Sequence, residues 1–148
     1  MIALIAEKPS VAKDIARIIG ATQKNDGYLS GNGHLVTWAF GHLIQLAMPE
    51  AYGVANFRRE SLPIIPPEFR LIPRQVKADK GYKADPGVLK QLKVIKEVFD
   101  QCDKIVVATD AGREGELIFR YIYLHLGCRK PFVRLWTVSY THLRAHET

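Results

Sequence analysis

Two short runs of apolar residues constrain the fold of this chain more than any other feature of its sequence. Residues 2–6 read Ile-Ala-Leu-Ile-Ala and residues 104–108 read Lys-Ile-Val-Val-Ala, and each run stops at an acidic segment. A short strand that is apolar along its whole length is typical of a parallel sheet, because helices cover both of its faces. The two runs therefore predict an α/β fold.

Helical patterns follow the first run and flank the second. Pro9 suits the first turn of a helix, and apolar residues then recur at helical spacing as far as Gly20. Asp85-Pro86 predicts the start of another helix, since it offers a capping residue followed by proline. The apolar stripe of that helix is predicted to comprise Leu89, Leu92, Ile95, Val98 and Phe99. A third helix, ending near Gly127, is predicted by Leu117, Ile118, Tyr121, Ile122 and Leu124. Residues 132–136 then predict a closing strand.

The middle of the chain has a different pattern. Gly31-Asn32-Gly33 separates two β-prone pieces and predicts a hairpin, and a second turn is predicted at Gly41-His42. Prolines recur from Pro49 to Pro73, so the stretch as far as Tyr82 is predicted to be a mostly irregular excursion and not a separate domain.

Size, composition and charge limit the functional classes. The chain has 148 residues, which is enough for one domain. Its composition, with 47% hydrophobic and 24% charged residues, excludes the disordered and fibrous classes of protein. The formal charge of +6 favours an anionic partner. The basic residues of the middle segment, which predict either a phosphate-tracking surface or a solvated loop, are Arg58, Arg59, Arg70, Arg74, Lys77, Lys80 and Lys83.

The location of the protein is inferred from what its sequence lacks. The first apolar stretch is cut off by Glu7 and Lys8, so no signal peptide or membrane span is predicted and a membrane partner is not expected. Cys102 and Cys128 lack the spacing of a zinc motif and are interpreted as reduced packing residues. A cytoplasmic location follows from these two observations.

The acidic segments after the two apolar runs predict a cation site. Ligands of parallel sheets gather at the carboxyl ends of the strands, so Glu7 is expected to meet Asp110 and Glu114 there. Carboxylates of this kind bind Mg²⁺ together with retained waters. The alternative is that Asp110 caps the following helix and Glu114 lies in its first turn. Gly112 and Gly115 are expected to let the backbone turn tightly.

Three motifs in this order resemble one known family. Residues 6–13 (AEKPSVAK) and 108–116 (ATDAGREGE) resemble the two signatures of the Toprim domain of type IA DNA topoisomerases. Residues 38–43 (WAFGHL), followed by Pro49 and Tyr52, resemble the bacterial topoisomerase III branch. The resemblance implies a Rossmann-like Toprim domain over residues 1–136, N-terminal in a larger enzyme. Residues 137–148 depart from the family and are expected to be a non-native tail.

The resemblance also implies an activity and a set of roles. Such enzymes open one DNA strand with a tyrosine, pass another strand through the gap and reseal it without ATP. Glu7 would donate a proton to the leaving 3′ oxygen, and Lys8 would stabilise charge on the scissile phosphate. Glu7, Asp110 and Glu114 would hold Mg²⁺.

The remaining residues of these motifs receive lesser roles by the same resemblance. The residues expected to contact DNA are Lys8, His42 and Arg113, and Glu116 is expected to support the site. The expected partners are single-stranded DNA and the other domains of the same polypeptide, in association with the bacterial nucleoid or a plasmid.

Two differences from the family pattern qualify the expected activity. Gly112 stands where the family has the middle acid of Asp-x-Asp-x-Glu, so weak Mg²⁺ binding, mainly through Asp110 and Glu114, is predicted. None of the six tyrosines lies in the nucleophile motif, so the chain alone is predicted to be inactive. Two other hypotheses are a Toprim primase or nuclease, and a non-catalytic basic DNA-binding module.

Overall fold

The computed structural model of the chain describes residues 1–54 and 58–136. Within these residues, the strands are β1 (Ile2–Ala6), β2 (Gln23–Lys24), β3 (Tyr28–Gly31), β4 (His34–Trp38), β5 (Ile44–Leu46), β6 (Leu71–Pro73), β7 (Gln75–Lys77), β8 (Tyr82–Ala84), β9 (Lys104–Ala108) and β10 (Phe132–Arg134). In the same part of the chain, the helices are α1 (Pro9–Ile19), α2 (Pro86–Gln101) and α3 (Arg113–His125). Short 3-10 turns cover Pro49–Tyr52 and Arg59–Ser61. The predicted tail, residues 137–148, and Tyr140 within it lie outside the described residues.

The main sheet confirms the predicted fold class. Over the described ranges it has six strands in the order β10-β9-β1-β4-β3-β2. The pairs β10-β9, β9-β1 and β1-β4 are parallel, whereas β3 and β2 extend the sheet antiparallel through the predicted hairpin. Ala6 pairs with Ala108 on one side and with Trp38 on the other. These three strands therefore end at the same level of the sheet.

Helices cover both faces of the sheet, as the apolar runs predicted. The inward face of α1 buries Val11, Ala12, Ile15 and Ala16 against one side of the sheet. This helix begins at Pro9 and ends at Gly20, whose φ of +83° is the left-handed conformation that glycine favours at a helix end. Helices α2 and α3 cover the opposite side, where Phe99 and Phe119 are almost completely buried.

The exact inward faces of α2 and α3 differ from the prediction. Leu89 is 46% exposed, whereas Val88 is fully buried. Val88 lies four residues before Leu92 and seven before Ile95, so it shares their helix face, and Leu89 lies at the edge of that face. In α3, Leu124 is 63% exposed and Phe119 occupies the core. Phe119 packs against the rings of Tyr123 and Phe132, at centroid distances of 5.5 and 5.0 Å.

The excursion in the middle of the chain is less irregular than its prolines predicted. Strand β5 pairs with β6, and β7 pairs with β8, each as an antiparallel ladder. Pro73 has no amide proton to donate. It fits within β6 because each strand of a two-stranded ladder has one edge without a partner strand, where no donor is required. Cys102 is buried and Cys128 is partly buried, and both are free thiols, as predicted. Among the described helices, none has the length and apolar content needed to cross a bilayer.

Gln91 is a buried polar residue that connects α2 to the sheet. Its amide nitrogen lies 2.8 Å from the carbonyl oxygen of Trp38, 3.2 Å from Oγ1 of Thr37 and 3.3 Å from the carbonyl oxygen of Gly27. Trp38 is the last residue of β4, so these hydrogen bonds fix the point at which the chain leaves the sheet. The apolar periodicity of α2 did not reveal this role, because Gln91 is a polar residue at a position on the inward face where periodicity expects an apolar side chain.

We expect Gln91→Leu to lower the free energy of unfolding by about 2 kcal/mol, because the partly buried Trp38 carbonyl and the buried Thr37 hydroxyl lose their side-chain donor. Urea unfolding followed by circular dichroism measures this change. Lys93→Gln, on the exposed side of the same helix, is the control and should change stability by no more than about 0.5 kcal/mol. Equal stability of Gln91→Leu and the parent chain would contradict the role given to the buried amide.

Candidate active site

Three loops meet at the carboxyl edge of the sheet. They follow β1, β4 and β9, and they carry Glu7, His42 and Asp110 respectively. Since Ala6, Trp38 and Ala108 are paired across the sheet, the loops leave it side by side. The expected meeting of the two acidic segments is present, and His42 joins them from the third loop.

Glu7 contacts the acidic turn directly. Its Oε1 accepts a hydrogen bond of 3.4 Å from the backbone amide of Asp110, and its side chain is half-buried. Burial and then the negative charge of Asp110 raise the pKa of Glu7 above its ordinary value. The Asp110 amide, Lys8 and His42 act in the opposite direction without cancelling the rise in pKa. Glu7 therefore holds a proton more tightly than an exposed glutamate does.

His42 links the third loop to Glu114. Its Nε2 lies 2.8 Å from Oε2 of Glu114, and the side chains are 41% and 73% exposed. Gly41 has a φ of +79°, which confirms the predicted turn just before His42. Water reaches both partners, so the site is shallow and open at Glu114.

Arg74 holds the His42 loop in place. Its guanidinium lies over the ring of Phe40 at 5.2 Å and donates to the carbonyl oxygens of Phe40 and His42, at 3.4 and 3.3 Å. It also lies 3.5 Å from a carboxylate oxygen of Asp85. The sequence places Arg74 among basic residues that predict a phosphate-tracking surface or a solvated loop, whereas its contacts in the structure are to the protein itself.

Helix α3 starts without a side-chain cap. Its N-cap residue is Gly112, and the first helical residue is Arg113, which is exposed. Asp110 therefore does not cap α3, and the simpler interpretation of that carboxylate is wrong. Glu114 and Glu116 do lie in the first turn, where the positive end of the helix dipole favours carboxylates.

The two glycines of the acidic turn have different environments. A Cβ on Gly115 would lie 2.0 Å from the carbonyl oxygen of Asp110, so the first turn of α3 packs directly on the Asp110 backbone. A Cβ on Gly112 would meet nothing within 4 Å, and its φ of −158° is open to any residue. Gly115 is thus required by close packing, whereas Gly112 is extended and does not supply the tight turn of the backbone that was expected of it.

The oxygen donors at this edge fit a loosely held divalent cation. Asp110, Glu114 and Glu7 provide carboxylate oxygens, the ligand type that Mg²⁺ takes together with several waters. Within residues 1–54 and 58–136, no three His, Cys, Asp or Glu side chains are grouped closely enough to enclose a metal. The arrangement suits a hydrated ion held by one or two carboxylates more than a closed cage.

Glu116 belongs to an ion-pair network that the sequence motifs did not reveal. Its Oε1 accepts from Nε of Arg120 at 2.7 Å, and its Oε2 accepts from a terminal nitrogen of Arg134. Burial acts to raise the pKa of Glu116, but the hydrogen bonds from Arg120 and Arg134 bring it below its ordinary value. A charged residue within an apolar strand pattern requires a buried partner. Arg134 is such a residue, and this is the sequence signal that indicates an ion pair.

Comparison with known proteins identifies the family. The family model of the Toprim domain matches residues 2–139. The chain belongs to the Toprim family. Its match extends past residue 136, where the sequence pattern placed the domain end.

Curated relatives of this Toprim domain are bacterial. It is 44% identical over 143 residues to the DNA topoisomerase 3 of Shouchella clausii, an alignment covering 94% of this chain and 18% of that protein. It is 45% identical over 140 residues to the DNA topoisomerase 3 of Bacillus subtilis, with 93% of this chain and 18% of that protein covered. The Toprim domain matches the N-terminal region of these relatives and spans less than a fifth of their length.

Gly115→Ala should destabilise this Toprim domain by roughly 3 kcal/mol, because the added methyl group must displace the backbone of Asp110. Gly112→Ala is the matched control and should stay within about 0.5 kcal/mol of the parent, because nothing occupies that space. Thermal and urea unfolding measure both changes. If the two alanine variants are equally stable, the close packing described for Gly115 is incorrect.

Glu7 should make the stability of the Toprim domain depend on pH. A carboxyl whose pKa is raised in the folded state contributes stability below the ordinary glutamate pKa, and loses it as the pH rises through the folded pKa. In metal-free buffer we therefore expect Glu7→Gln to be more stable than the parent at neutral pH. The difference should disappear as the pH falls below the ordinary glutamate pKa. A constant difference between the two unfolding curves at every pH would show that ionisation of Glu7 is not its cause.

Proposed function

We propose that this chain is the N-terminal Toprim part of a bacterial type IA DNA topoisomerase of the topoisomerase III branch. It supplies an acid/base group and Mg²⁺ ligands for ATP-independent breakage, passage and rejoining of single-stranded DNA in the cytoplasm, on the nucleoid or a plasmid. The observation that carries the proposal is the contact of Glu7 with Asp110, beside the His42–Glu114 pair. The relatives from Shouchella clausii and Bacillus subtilis are DNA topoisomerase 3 proteins, which supports this proposal.

Glu7 is the proton donor of this proposal. Strand cleavage by a tyrosine leaves a 3′ oxygen that must gain a proton, and a half-buried carboxyl beside a second acid holds a proton more tightly than an exposed one. The raised pKa of Glu7 suits this task. In rejoining, the same carboxylate takes the proton back from the 3′ hydroxyl.

Lys8 and the acidic turn bind the phosphate and the cation. Lys8 is exposed next to Glu7, and its ammonium group is a point charge for a non-bridging phosphate oxygen. Asp110 and Glu114 would hold Mg²⁺ weakly, with Glu7 at the edge of the ligand set and water where Gly112 provides no carboxylate. Bound Mg²⁺ would supply positive charge that orients the 3′ hydroxyl and the phosphate during rejoining.

DNA contacts extend from the site along exposed basic side chains. His42 faces Glu114 at the mouth of the site, and Arg113 begins α3 with its side chain in solvent. Either side chain can donate to a phosphate of a strand that crosses the carboxyl edge. The nucleophilic tyrosine and the remaining walls of the strand gate would come from later domains of the polypeptide.

A hybrid enzyme tests this function. Residues 1–136 would replace the matching part of the Bacillus subtilis DNA topoisomerase 3, and relaxation of negatively supercoiled plasmid would be measured with Mg²⁺. We expect the hybrid to be active and Glu7→Gln to lower its rate at least about 100-fold, since general acid catalysis contributes factors of that size.

The controls separate the site from the rest of the domain. Glu97→Gln makes the same chemical change on the exposed side of α2 and should leave the rate unchanged. The 148-residue chain alone should relax nothing, because it lacks the nucleophile motif. A hybrid that binds single-stranded DNA but relaxes no plasmid, or one that tolerates Glu7→Gln, would contradict the proposal.

A further inference from the structure

Arg134 connects the two ends of the acidic turn. It is the last residue of β10 and pairs with Val107 of β9, and its side chain is 20% exposed. One terminal nitrogen donates to the carbonyl oxygen of Thr109 and to its Oγ1, the latter at 3.1 Å. The other terminal nitrogen donates to the carboxylate of Glu116. Thr109 and Glu116 are the residues on either side of the segment 110–115.

The guanidinium of Arg134 joins a buried acceptor, Thr109, to the partly exposed carboxylate of Glu116. A guanidinium is planar and offers its donors at fixed angles, so it sets the distance between two acceptors as a lysine cannot. Thr109 is fully buried, so water cannot replace the donor that its two oxygens receive from Arg134. Between these ends, Gly115 packs against the backbone of Asp110.

Glu116 is committed to this connection and not to a cation. Both of its oxygens accept hydrogen bonds, Oε1 from Arg120 and Oε2 from Arg134. The guanidinium of Arg120 is itself held over the ring of Phe132 at 4.8 Å. The carboxylates of Asp110 and Glu114 receive no such double pairing among the described residues, so they remain available to a ligand.

We propose that Arg134 is a positioning residue that sets the separation of Asp110 and Glu114 by fixing Thr109 and Glu116. The inference deepens the proposed function, on which its consequence for Mg²⁺ rests. The alternative is a plain stabilising ion pair, whose loss would weaken the whole domain without a particular effect on the acidic turn.

Amide hydrogen exchange on the 148-residue chain separates these two roles. We expect Arg134→Gln to raise the amide exchange rates of residues 110–115 at least tenfold. The exchange rates of β1 and α1 should change less than twofold. Arg134→Lys keeps the charge but not the fork, and it should resemble Arg134→Gln in the turn. Arg120→Gln is the matched control, because it removes a hydrogen bond to Glu116 but leaves the hydrogen bonds from Arg134 to Thr109 in place. The exchange rate of residues 110–115 should change less than twofold in this variant.

Calorimetric titration with Mg²⁺ adds a second readout. Arg134→Gln and Arg134→Lys should weaken Mg²⁺ affinity at least fivefold relative to the parent, while Arg120→Gln changes it less than twofold. Asp110→Asn should abolish binding but leave hydrogen exchange outside the turn unchanged. Should Arg134→Gln fail to fold, Arg134→Lys carries both measurements.

The outcomes distinguish failure of the inference from failure of the proposed function. A uniform rise in exchange over the whole domain, or an unchanged turn in both Arg134 variants, would overturn the positioning role whether or not the metal binds. Absence of Mg²⁺ binding by the parent chain, with exchange altered only in the turn, would support the positioning role and count against the cation part of the proposed function.

Discussion

The common level at which β9, β1 and β4 end is the constraint on which the site depends. Ala6 is paired with a strand-ending residue on each side, so three loops leave the sheet within reach of one another. Two of these loops, those after β4 and β9, are also held by long polar side chains from elsewhere in the fold. Gln91 holds the end of β4, Arg74 the His42 loop, and Arg134 the acidic turn. Backbone pairing and side-chain hydrogen bonds therefore determine where the loops that carry the carboxylates begin.

Two glutamates at this edge have opposite electrostatic environments. Glu7 is half-buried beside Asp110 and keeps its proton to a higher pH than an exposed glutamate. Glu116 lies between two guanidinium groups and stays ionised to a lower pH. The first environment favours proton exchange with a substrate, whereas the second favours a permanent anion that binds neighbouring parts of the fold. The chemical role of each acid is therefore set by its neighbours and not by its place in the motif.

Local sequence patterns predicted the elements of this fold better than their contacts. The apolar runs predicted β1 and β9 with their bounds, and Pro9 and Gly20 predicted both ends of α1, since these signals are local. The exposure of Leu89 in place of Val88 shows that periodicity leaves the rotation of a helix uncertain by one residue. The charge of Arg134 within an apolar strand pattern indicates a buried partner, but Thr109 and Glu116 could not be predicted as its partners, because these contacts depend on β10 lying next to β9. The position of both acidic segments directly after buried parallel strands did predict the meeting of Glu7 with the acidic turn. The approach of His42 to Glu114 required knowledge of the strand order.

The empty space beside Gly112 has an evolutionary consequence. A Cβ at this position would meet nothing within 4 Å, so a carboxylate side chain introduced there changes the charge of the turn with no clash at its first carbon. Glycine and aspartate codons differ by a single base, so the number of acids in the turn can change in one mutational step, with no compensating substitution elsewhere. The charge of the turn can therefore change among descendants of this sequence while the fold stays the same.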